Sequence, residues 1–81
     1  MTNREIYIKI FLEVFNIDKS NLDDTFTFAD TDIWNSMSHL TLISELEDAF
    51  GIMLYTDDIL HFESYRNGFK ILERYGISFN D

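Results

Sequence analysis

Residues 34 to 50 read W-N-S-M-S-H-L-T-L-I-S-E-L-E-D-A-F, and the spacing within this stretch decides the fold. Met37, Leu40, Ile43, Leu46 and Phe50 recur at steps of three and four, the period of a helix with one buried stripe. Ser38, Thr41, Glu45 and Asp48 keep the same period on the opposite side, so the helix has a dry face and a polar face. Asn35 or Ser36 caps its start. An anionic group attached at Ser36 would meet unpaired backbone N–H groups and the positive end of the helix dipole.

Downstream, Gly51 is a natural C-terminal stop, with Ile52 as the hydrophobic contact behind it. Thr56, Asp57 and Asp58 open a short helix of about two turns that carries Ile59, Leu60 and Phe62. Ser64 caps a last helix to about Tyr75, with Tyr65, Phe69, Leu72 and Tyr75 inward. Gly68 weakens its middle by roughly 1 kcal/mol relative to Ala. Gly76 ends it, and residues 77–81 read as a tail.

Upstream, Asn3 to Asn16 forms the first helix, with Ile6, Tyr7, Ile10, Phe11 and Val14 on one face. Between it and the central helix, residues 17–35 show no sustained period and are rich in Asp, Asn, Ser and Thr. A connection of that length needs anchors, and Leu22, Phe26, Phe28, Ile33 and Trp34 supply them. The alternation T-F-T-F at 25–28 has no partner strand elsewhere, so it reads as part of a pinned loop. The expected fold is all-α, a small four-helix bundle of three long helices and one short one with a long first loop, in one domain over residues 1–81.

Composition narrows the function. The 46% apolar and 16% aromatic content fills one small core and no second one. The absence of cysteine excludes disulfide and cysteine-zinc frameworks. A formal charge of -9 argues against binding a phosphate backbone, which depends on Lys and Arg. No apolar run is long enough to span a membrane and no leader pattern opens the chain, so the expectation is a soluble, cytoplasmic monomer. From Ser20 to Tyr65 there are ten acids and no Lys or Arg; all six bases lie outside that block. One side of the fold is therefore strongly negative, which on charge alone reads either as a solubilising surface or as one suited to basic partner surfaces; its place around Ser36 favours the second.

Candidate chemistry is sparse. Asp30-Thr31-Asp32 begins like a calcium loop, but Trp34 takes the next ligand position and the later Gly and Glu are missing. His39 and His61 share no metal-ligand spacing with carboxylates. Ser36 with His39 three residues on lacks the oxyanion feature a hydrolase needs. On local chemistry alone, Ser36 reads as a plain helix cap.

The run N-S-M followed by L-x-L-I-x-x-L-E-D-A-F-G-I resembles the acyl carrier proteins, whose usual form is D-S-L or D-S-M and then an acidic, apolar-striped helix ending L-E-x-x-F. The resemblance covers nearly the whole chain in length and helix order, and its specific part is Trp34 to Ile52. It implies that Ser36 carries 4'-phosphopantetheine, joined from coenzyme A by a separate phosphopantetheinyl transferase. It further implies that Met37, with the acids Glu45, Glu47 and Asp48 and the acids Asp57 and Asp58, meets acyl- or aminoacyl-loading and acyl-using enzymes with basic docking surfaces. Such a chain transports and does not catalyse. Asn35 stands where the family commonly has Asp, and Thr41 where it often has an acid. A Trp just before this run and a His three after the serine resemble a subset of specialised stand-alone carriers. Beside this reading stand two others: an acidic helical adaptor that binds basic proteins without a prosthetic group, and a carrier-like chain that is never modified.

Overall fold

The computed structural model describes residues 1–80, which fill about 30 × 27 × 19 Å. Four α-helices and one 3-10 turn (Lys19–Asn21) follow in order, and no strand occurs among the described residues. They are α1 (Asn3–Phe15), α2 (Ser36–Phe50), α3 (Thr56–Leu60) and α4 (Tyr65–Glu73). The all-helical reading holds.

Helix α1 starts with a reciprocal cap: Thr2 Oγ1 accepts from the Glu5 N–H at 3.1 Å and the Glu5 carboxylate accepts from the Thr2 N–H at 2.9 Å. These hydrogen bonds to Thr2 hold the Glu5 carboxyl below its usual pKa. The helix packs against α2 and sends Tyr7, Ile10, Phe11 and Phe15 into the core. Phe11 is the hub of that core. Its ring meets Trp34 at 5.6 Å, Tyr65 at 5.3 Å and Phe26 at 6.1 Å between centroids, each near the edge-to-face geometry that aromatic quadrupoles prefer.

Several expectations need correction. In α2 the buried residues are Leu42, Ile43 and Leu46, with His39 and Phe50 half-buried, while Met37 and Leu40 are exposed. The true row starts at His39, whose polar ring passes for a surface position until its hydrogen bonds are seen. Helix α3 has five residues, with Tyr55 at its cap position and no side-chain cap. Phe62 lies beyond it, in the turn before α4, and is fully buried. The last helix ends at Glu73, and Ile71 joins Leu72 as its buried residues. Of the loop anchors, Phe26 and Trp34 are buried, Leu22 is half-buried, and Phe28 and Ile33 are exposed.

The long loop is pinned as expected, by a single antiparallel bridge between Thr27 and Ser64. The Phe28 N–H donates to the Glu63 carbonyl at 2.9 Å and the Tyr65 N–H to the Phe26 carbonyl at 3.0 Å. The expected tail is not loose where it is described. Ile77 and Phe79 are buried, because an extended segment turns alternate side chains to one side. Asn3 Nδ2 and the Arg4 guanidinium donate to the Ser78 and Phe79 carbonyls. Asp81 lies outside the described residues.

Gly68 also means more than a weak helix position. Tyr7, wholly buried, donates its hydroxyl to the Tyr65 carbonyl at 2.7 Å, and burial pushes its phenol pKa well up. A Cβ on Gly68 would run into that hydroxyl and into the Phe62 ring. Gly68→Ala therefore destabilises the protein by about 1–3 kcal/mol through overpacking, opposite in sign to the helix-propensity effect, as a urea titration will read.

Candidate functional site

The start of α2 is built by three neighbouring residues with separate tasks. Asn35 is the cap: its Oδ1 accepts from the Met37 and Ser38 N–H groups at 3.0 and 3.1 Å. Ser38 completes the cap, its Oγ accepting from the Asn35 N–H at 2.9 Å and donating to the Ile33 carbonyl at 2.8 Å. Ser36 is the first helical residue and takes no part in this cap; its side chain is exposed. The plain-cap reading of Ser36 is thereby replaced by Asn35. Fewer backbone N–H groups are open to an anion than expected, since the Asn35 carboxamide already holds two of them. The Ser36 N–H and the helix dipole remain.

Ser36 borders a groove of about 790 Å³ whose walls are the 27–30 segment, α2, α3 and the turn at Glu63 and Ser64. Its apolar surface comes from Phe28, Leu40, Ile59 and Leu60, and Leu40 and Leu60 are 65% and 68% exposed. Asp30 and Glu63 stand among its residues, with no Lys or Arg. Two carboxylates and an open apolar strip thus share a groove with one free hydroxyl.

His39 fixes this geometry. The Trp34 Nε1–H donates to His39 Nδ1 at 3.0 Å, and the other ring nitrogen, Nε2, lies 2.7 Å from the Ile59 carbonyl. An indole can only donate and a carbonyl can only accept, so Nδ1 accepts from Trp34 and Nε2 donates to the Ile59 carbonyl. Both nitrogens are committed. His39 is therefore a strut from the loop through α2 to α3, not a free surface residue and not a base for Ser36.

The remaining acids divide. Glu47 is half-buried and its carboxylate accepts from the Leu54 N–H at 2.9 Å, which ties α2 to the chain leading into α3. Asp58 bonds the Arg74 guanidinium at 2.6 Å and the Tyr75 hydroxyl, which clasps α3 to the end of α4. The Tyr75 hydroxyl, helped by Arg74, holds the Asp58 carboxyl below its usual pKa; burial and then Asp58 raise that of Tyr75. Glu45 and Asp48 border a shallow depression on the α1 side with Lys9 and Glu13. Asp57 is exposed at the first turn of α3, and Met37 is 81% exposed beside Ser36. The structure thus gathers Ser36 and Met37 at the groove end of α2 and distributes the acids over three places. The Trp34–His39–Ile59 link and the groove were not read from the sequence; the W-x4-H spacing at the head of a helix was the one available signal for the first.

No protein-family description matches the chain, and neither a curated protein nor a solved structure matches it. Among the described residues no group of His, Cys, Asp and Glu is placed to hold a metal ion, and no helix is long and apolar enough to cross a membrane.

Two predictions test the site's framework. His39→Ala leaves the Trp34 indole N–H and the Ile59 carbonyl unpaired, Trp34 being only 2% exposed. It should cost about 2–3 kcal/mol, and the Trp34→Phe/His39→Ala pair should cost clearly less than the sum of the singles in a double-mutant cycle. The second concerns acid. The folded-state pKa of Asp58 lies below its unfolded value of about 3.9, so its stabilisation is complete above that value and is lost as pH falls through the folded one. Asp58→Asn should be less stable than the native chain at neutral pH, and the gap in urea midpoint should close below about pH 4.

Proposed function

We propose that this protein is a carrier that holds acyl or aminoacyl groups as thioesters on a 4'-phosphopantetheine arm attached to Ser36. The observation that carries the reading is the state of Ser36. It is an exposed hydroxyl on the first turn of α2, excused from capping by Asn35 and Ser38, at the edge of a groove. The N-S-M run and the acidic helix after it, with their resemblance to the acyl carrier proteins, supply the rest, and the four helices fit a four-helix bundle with a long first connection.

The local chemistry suits that arm. A phosphodiester on Ser36 Oγ would sit by the Ser36 N–H and the positive end of α2, beside a groove lined by no Lys or Arg. When bound, the arm supplies a terminal thiol for thioester exchange. Attachment would join Ser36 Oγ to the pantetheine-bearing phosphorus of coenzyme A, with the pyrophosphate bond breaking and adenosine 3',5'-bisphosphate leaving. The serine proton leaves to a base of the transferase, because both nitrogens of His39 are engaged. Met37, exposed beside the serine and conformationally adaptable, is the apolar contact offered to successive partners. Asp57, Glu45 and Asp48 supply negative charge for basic partner surfaces, and modest affinity lets each partner release quickly. Glu47 and Asp58 act first within the fold, fixing α3.

Intact mass before and after incubation with coenzyme A, magnesium and a broad-specificity phosphopantetheinyl transferase tests this. The native chain should gain the mass of one phosphopantetheine and Ser36→Ala none. An unchanged native mass, with no modification in the starting material, would move the weight to the adaptor reading.

A further inference from the structure

Glu63 stands out in the turn between α3 and α4. Its φ is +65°, in the left-handed region that residues with a Cβ rarely adopt and that glycine enters freely. Neighbouring hydrogen bonds impose that conformation. The Ser64 N–H donates to the Phe62 carbonyl at 2.7 Å across the turn, while the Glu63 carbonyl itself accepts from Phe28. Glycine would meet those constraints without strain, so a glutamate there is unexplained by the fold. Its side chain is also unused: no hydrogen bond or ion pair engages the carboxylate among the described residues. Strain of this kind, where the surroundings enforce it, points to function.

Glu63 is one of the residues that line the groove. Glu63 and Ser36 are both among its residues, with the exposed apolar surfaces of Phe28, Leu40 and Leu60. Asp30, the other acid there, takes the Thr27 hydroxyl on one oxygen, whereas no hydrogen bond engages the Glu63 carboxylate among the described residues. No Lys or Arg of the groove competes for it. A ligand matched to this surface is a slender chain with alternating apolar segments and N–H donors, tethered at Ser36. Pantetheine is such a chain, with aliphatic pieces separated by two amides. We propose that Glu63 is a binding residue for the arm, its carboxylate accepting a hydrogen bond from an arm amide N–H as the arm lies in this groove. The inference rests on the attachment at Ser36 argued above. A carboxylate acceptor strengthens such a bond relative to a neutral one, and the apolar strip beside it limits competition from water. The arm is thereby parked against the protein between transfers.

The test loads the native chain, Glu63→Ala and Glu63→Gly with phosphopantetheine, confirms each by intact mass, and follows solvent exchange of the two arm amide protons by NMR. Glu63→Ala removes the carboxylate and keeps the strained backbone; Glu63→Gly removes both and should melt at a higher temperature than the native chain. At least one arm amide should exchange severalfold more slowly in the native protein than in either variant. Equal exchange in all three would overturn the proposal while leaving the carrier reading intact. No mass gain on the native chain, seen before any exchange is measured, would remove the attachment at Ser36 and this inference with it.

Discussion

A single imidazole ties together the end of this molecule that bears Ser36. His39 accepts a hydrogen bond from the Trp34 indole N–H on one nitrogen and bonds the Ile59 carbonyl with the other. The loop that ends at Trp34, the helix that begins at Ser36 and the five-residue helix α3 are therefore fixed relative to one another through one side chain. Burial would not do this alone. Helix α3 has no fully buried residue and no side-chain cap; Ile59 packs partly against the core, and polar ties add to it: His39 from α2, Glu47 to the Leu54 N–H, and the clasp of Asp58 by Arg74 and Tyr75. Each tie joins groups of which at least one is shielded from water, where a hydrogen bond left unmade is costly.

The other half of the molecule is held by rings. Phe11, Phe15, Phe26 and Trp34 pack on one side and Tyr7, Phe69 and Phe79 on the other, with Arg4 over the Phe69 ring at 4.7 Å. Large aromatic side chains let a chain of this length fill one core, but they demand space in fixed places. Gly68 is where α4 yields that space to Tyr7 and Phe62. Trp34 belongs to both parts: its ring packs with Phe11, Phe15 and Phe26, and its indole N–H begins the polar ties at the end bearing Ser36.

The same division explains how the acids are used. Many acids and no bases between Ser20 and Tyr65 read as one negative docking face. Folding separates them. Glu47 and Asp58 turn inward to a backbone N–H and to a guanidinium, Glu45 and Asp48 go to the α1 side, and Glu63 is left at the groove. Charge counted along a chain sets the sign of the field around the protein; which carboxylates remain free for a partner depends on the donors that tertiary packing brings to them.

Local periodicity and turn chemistry determined the four helices, because they depend on residues within a few positions of each other. Apolar residues at steps of three and four mark α1 and α2, Gly51 in the left-handed conformation stops α2, and Ser64 caps α4. Ser36 at the head of α2 was legible for the same reason. Tertiary structure decided everything that required a distant partner. The core-facing row of α2 begins at a histidine because Trp34 and Ile59 complete its hydrogen bonds. The Phe79 ring is buried because Tyr7 and Phe69 offer it a surface. Glu63 holds a glycine's conformation because Phe28 pins the turn from across the loop. A sequence pattern records which face of an element is apolar, whereas pairing between elements depends on where the chain returns in space.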